Sequence, residues 1–252
     1  MDYHVMVQDS NLMETGWMKA SASQGIPQSF VVNEEGRLAW IGHPKDLVEV
    51  LPKIVNKTWN IKEALDKKAS DRRLTKLDLD ASAELEQYAG NAYREDIGKP
   101  DSALLMINKI IRKEPALKYA PRLAYHTFSA LLKTNPHQAY EYGKVLIATP
   151  TYEDPAYDAI ILFLGLYADK LSIPAEIYHL GAEAYQEEID KIPYPEIINM
   201  PRLYTSMAEW YARANDQPKA IEAQQKAIEE LKSRNAAELA VFESKLQQYK
   251  KP

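Results

Sequence analysis

Residues 25–44, GIPQSFVVNEEGRLAWIGHP, decide how the chain is read. Ser29–Val32 (SFVV) and Arg37–Ile41 (RLAWI) are short runs rich in β-branched and aromatic side chains. Between them Asn33-Glu34-Glu35-Gly36 is a polar turn ending in glycine. Two apolar runs joined by a short turn that contains glycine predict a β-hairpin.

Tyr3–Val7 is a further β-rich run, and helical stretches are expected at 12–23 and 45–56. The second puts Leu47, Val50, Leu51 and Ile54 on one face at spacings of three and four. The order is strand, helix, strand, turn, strand, helix. From residue 61 onward no strand signal occurs, and proline punctuates a series of helices from Pro100 to Pro218, mostly where a turn or a first helical turn tolerates it. The spacing predicts helices at 61–69, 81–97, 100–113, 119–133, 136–148, 155–170, 174–191, 201–214, 217–232 and 235–249. Short connections imply antiparallel neighbours. The expected fold is mainly α: a small α/β module at 1–60, then an all-α domain of helical hairpins at 61–252.

Composition narrows the function. Hydrophobic residues make up 46 % and charged residues 27 %, the balance of a globular protein. A net charge of −5 gives no basic excess to neutralise phosphate, so neither nucleic acid nor an anionic membrane is an expected partner. No run approaches membrane-spanning length, and residues 1–13 do not form a signal peptide. The chain reads as cytoplasmic if complete. Cysteine is absent, which excludes disulfides, cysteine-ligated zinc and thiol chemistry. His4, His43, His126, His137 and His179 show no metal-ligand spacing. His43, after the second strand, is expected to be a turn residue bonding to backbone. Glu187-Glu188 and Glu229-Glu230 lie beside lysines on solvated helix faces. No phosphate loop, nucleophile elbow or dinucleotide fingerprint occurs, so no catalytic residue, metal or cofactor is assigned.

The ordered block Gly25–Pro44 resembles the back half of thioredoxin-like proteins, especially the TlpA/redoxin group of extracytoplasmic thiol-disulfide oxidoreductases. The resemblance covers roughly residues 1–56. It implies that Pro27 is cis, and that Gly25, Ile26 and Pro27 form a loop whose backbone can bond an extended peptide. It also implies a missing half: the strand-helix-strand block and the Cys-X-X-Cys turn of that family are not in this chain. With no thiol to attack a disulfide, this chain alone is not a redox catalyst. The gap opens an apolar strand edge, which favours self-association. A fragment of that family would be periplasmic or otherwise extracytoplasmic.

The helical part resembles tetratricopeptide repeats, helix pairs of 34 residues with small residues where the helices cross. Counting Pro201 as 1, Tyr204, Met207, Ala208, Tyr211, Ala220 and Ala227 fall at positions 4, 7, 8, 11, 20 and 27 of the unit. An earlier copy has Gly90 and Tyr93, then Ala103, Ile107, Ile110 and Pro115 after a one-residue insertion near Gly98. Tyr88, Tyr125, Trp210 and Tyr211 are expected in inter-helix packing, with Asn91, Arg94 and Tyr125 the candidates for a peptide groove. Asn91 takes one place of the carboxylate clamp found in some such proteins, but Gln87 stands where its lysine belongs. That argues against a clamp and leaves peptide binding in general. The expected function is a non-catalytic protein- or peptide-binding scaffold with a thioredoxin-like remnant. The alternative is the C-terminal part of a TlpA-like oxidoreductase whose Cys-X-X-Cys half is missing from this chain.

Overall fold

The structure, a computed structural model, describes residues 11–21, 26–89, 99–150, 155–192, 195–232 and 239–250, the side chains of 88, 89 and 196 excepted. The expected strand at Tyr3–Val7 lies outside them, as do Gly90, Asn91, Tyr93 and Arg94. The protein is mainly helical, with a two-stranded sheet. It divides into two compact units, Met1–Ser70 and Asp71–Pro252.

In the first unit, β1 (Ser29–Val32) pairs antiparallel with β2 (Leu38–Gly42), Phe30 opposite Ile41 and Val31 opposite Trp40. The Asn33 side chain makes the turn: its Oδ1 accepts from the backbone N–H of Glu35 (3.2 Å) and of Arg37 (2.9 Å). Gly36, at φ 74°, takes the left-handed conformation that side chains disfavour. Part of the expected helix at 12–23 is a π-helical turn, Glu14–Lys19, whose Trp17 meets Phe30 edge-on at 5.1 Å. A 3-10 turn, Pro44–Asp46, leads into α1 (Leu47–Val55). α1 buries Val50 and half-buries Leu47 and Ile54; Leu51, expected on that face, is exposed. Trp59 Nε1 donates to the Ala39 carbonyl at 2.9 Å.

α2 (Ile61–Ala89) corrects the reading of separate helices at 61–69 and 81–97. Residues 70–80 are mostly polar, but they hold no glycine or proline to stop a helix, and Leu74 and Leu77 lead at helical spacing to Ala81. A Lys76–Asp80 ion pair supports the exposed side. Leu74 and Leu77 pack against a core of Ala81, Leu85, Ile107, Leu117, Ala120 and Leu123. Asn60 caps the start: its Oδ1 accepts from Lys62 and Glu63 N–H, while its Nδ2 donates to the Glu63 carboxylate.

In the second unit, α3 (Pro100–Lys113), α4 (Pro121–Thr134) and α5 (Pro136–Ala148) each open on proline, whose absent N–H would have no helical partner there. α6 (Asp158–Tyr167), α7 (Ala175–Asp190), α8 (Met200–Arg213), α9 (Gln217–Lys232) and α10 (Leu239–Tyr249) follow. α8 and α9 form a hairpin over Ala214-Asn215-Asp216, with Asn215 at φ 63° and Asp216 accepting from Lys219 N–H. Met207, Ala208, Tyr211, Ala220 and Ala227 are all buried within it. The main core joins α4 to α9 through Phe128, Ile160, Phe163, Leu164, Ile177 and Leu180, all fully buried. Tyr178 stacks on Trp210 at 5.9 Å, as the aromatic spacing predicts. Among the described residues, no helix is long and apolar enough to cross a membrane.

Candidate functional sites

The Ile26–Pro27 peptide bond is cis, the geometry that the resemblance of this segment implies. Pro27 is exposed and the Ile26 side chain projects at 88 % exposure, just ahead of β1. Gly25 lies outside the described residues. His43 is a turn residue: its Nδ1 accepts from Lys45 N–H at 3.2 Å and caps the 3-10 turn. Beside the hairpin a cavity of about 740 Å³ is walled by Val31, Val32, Leu51, Ile54, Val55 and Trp59. Lys57 bridges to Glu34 at its rim. Glu35, Thr58, Asn60 and Lys62 also line the cavity, so its wall mixes apolar and polar side chains.

A groove of about 620 Å³ opens along α2 and α3 in the second unit. Leu77, Ala81, Met106, Ile110 and Leu117 form its apolar floor. Asp80 and Glu84 edge it from α2, with Lys109, Arg112 and Lys113 along α3. Glu114 follows Lys113 in the lining, so charges of both signs surround the apolar floor. The repeat pattern names Ile107 and Ile110 without distinguishing them; Ile107 is in the core and Ile110 in the groove wall.

Tyr125, expected in inter-helix packing and also a candidate for a peptide groove, is half-buried and meets Phe163 edge-on at 6.1 Å. Asn91 and Arg94 lie outside the described residues.

A buried polar cluster escaped the sequence reading. Asp78 on α2 accepts from the backbone N–H groups of Arg122 (2.8 Å) and Leu123 (2.9 Å), so its carboxylate caps the first turn of α4. One turn along, Ser82 Oγ lies 2.9 Å from His126 Nε2. Burial holds the His126 imidazole neutral, its pKa lowered to about 4. A serine beside a neutral histidine resembles a nucleophile and its base. Here both are buried, His126 Nδ1 has no hydrogen-bond partner to orient it, and no described cavity reaches them. The pair is structural. The available signal was Asp78 and Ser82 four apart beside Ala81 and Leu85, polar residues at positions where a helix faces its core.

His179 sits where α7 meets the α8–α9 turn, its Nδ1 3.2 Å from Glu183 and its Nε2 3.5 Å from Asp216 and 3.2 Å from Lys219. Among the described residues, no group of three or more histidine, aspartate or glutamate side chains is placed to hold a metal ion.

Taken together, the described residues form a mainly helical protein with recesses on each of its two units. No family model matches the chain, and no solved structure matches it. It is similar to Protein FixW of Rhizobium leguminosarum, 32 % identical over 111 residues that cover 39 % of this chain and 50 % of that protein. The chain spans about half the length of the curated relative it matches.

Proposed function

We propose that this chain is a non-catalytic protein- or peptide-binding scaffold, in which a thioredoxin-like remnant adjoins a tetratricopeptide-like helical domain. The α2–α3 groove carries the reading: its floor is apolar and charged side chains of both signs surround it. Support for the helical kinship comes from the α8–α9 hairpin, where Ala208, Ala220 and Ala227 are fully buried at the small-residue positions. Support for the remnant comes from the Gly25–Pro44 block and its β1–β2 hairpin. The partner would be an extended or helical protein segment with an apolar anchor. Selection from a displayed random-peptide library on the full chain tests this. It is expected to enrich peptides with one or two large apolar residues flanked by both charge signs, and failure to enrich any motif contradicts it.

A second reading rests on the half-length match to Protein FixW. In it, the chain is the C-terminal part of a longer TlpA-like thiol-disulfide oxidoreductase, and the residues around Pro27 help to position its substrate. An in-frame Cys-X-X-Cys upstream of Met1 in the gene decides for it. The first reading predicts that this chain does not accelerate insulin reduction by dithiothreitol, because it holds no thiol.

A further inference from the structure

Two helix faces wall the α2–α3 groove. Leu77, Ala81 and Glu84 line it from α2, and Met106, Ile110 and Lys113 from α3, at the four- and three-residue steps of a helix face. Residues 77–84 and 106–110 lie inside helices, so their main-chain groups are bonded within α2 and α3. Among the described residues, no Asn or Gln side chain lines the groove. An extended segment would lay its N–H and C=O groups over an apolar floor with no main chain or amide to receive them. A helix bonds its own main chain, and the furrow between two helices accepts the side-chain ridge of a third.

The charges around the floor are not all free. Asp80 pairs with Lys76 at 2.7 Å, and Glu114 pairs with Arg73. Glu84, Lys109, Arg112 and Lys113 are exposed and, among the described residues, take part in no ion pair. Three cations and one carboxylate are thus left to face a partner. Screening in physiological salt acts over about 8 Å, so a docked segment meets this local basic excess and not the chain's net charge of −5. The Arg73–Glu114 pair sets the end of α3 beside residue 73 of α2. Glu84, about three turns further along α2, therefore stands at the other end of the groove from Arg112 and Lys113. We infer, on the reading that this groove binds a protein segment, that its partner is an acidic amphipathic helix. Its apolar side chains enter the floor and a cluster of its carboxylates meets Lys109, Arg112 and Lys113, with any basic residue at the far end against Glu84.

Three fluorescein-labelled peptides of about 18 residues, long enough to hold a helix, test this. All carry the same leucine stripe, and their flanking positions are all glutamate, all glutamine or all lysine. Titrated with the full chain and read by anisotropy, the glutamate peptide should bind about tenfold or more tighter than the lysine peptide, with glutamine between them. The gap should shrink as salt is raised. Lys109→Glu together with Lys113→Glu should reverse the order, which misfolding would not do. Equal affinity of the three peptides, a preference for lysine, or an order unmoved by the charge swap would overturn the acidic partner. Met106→Glu separates that failure from failure of the groove itself: if it still weakens all three peptides, the groove binds without selecting acid. If none of the three binds, the acidic helix is overturned together with the reading of the groove on which it stands.

Discussion

Ser82 on α2 and His126 on α4 meet at 2.9 Å although 44 residues separate them in sequence, and both side chains are buried. One helical turn away, Asp78 caps α4 through two backbone N–H groups. Three side chains thus fix the register of α2 on α4.

The buried imidazole makes stability depend on pH. His126 takes up a proton near pH 4 in the folded chain but near 6.5 when unfolded, so below pH 6.5 the unfolded state binds more protons. Its contribution is fully present above about pH 6.5 and is lost as pH falls through about 4, in total on the order of 3 kcal/mol. Urea unfolding at stepped pH reads this directly. The double variant Ser82→Ala, His126→Leu should flatten the decline across that window; an unchanged slope would contradict the assignment.

Asp78→Ala removes the acceptor for Arg122 and Leu123 N–H, leaving Leu123's buried donor without its partner. The expected loss is about 1–3 kcal/mol, with Asp78→Asn costing less because an amide oxygen still accepts. The urea midpoint should fall with the m value unchanged.

Two glycines predict opposite outcomes for one substitution. A Cβ at Gly143 would stand 2.4 Å from Leu180 Cδ2 and 3.3 Å from both Ile160 and Phe128, all fully buried. Gly143→Ala should destabilise by about 1–2 kcal/mol despite its helix propensity. At Gly165, inside α6, a Cβ meets nothing within 4 Å, so Gly165→Ala should stabilise by about 0.5–1 kcal/mol. Thermal unfolding of both variants checks the signs.

What the sequence revealed was local. The hairpin at Ser29–Gly42 follows from a turn residue whose side chain bonds its own backbone, and His43 behaves as a turn cap for the same reason. Ala208, Ala220 and Ala227 were legible because only small side chains fit where two helices cross closely. What stayed hidden depends on distant packing. α2 runs unbroken because Leu74 and Leu77 find a core on α3 and α4, which no window of residues 70–80 discloses. The spacing of Tyr125 suggests inter-helix packing, but its partner Phe163 lies on another helix and is not named by it. The α2–α3 groove combines residues from two helices and was not anticipated.

The proposed function requires that the α2–α3 groove bind a protein segment. Fluorescence anisotropy of the strongest library-selected peptide, titrated with the full chain, measures that binding. Met106→Glu in the groove floor and the pair Lys109→Glu, Lys113→Glu on its rim should each weaken binding about tenfold or more, with the unfolding midpoint little changed. Undiminished affinity in both variants would contradict the claim.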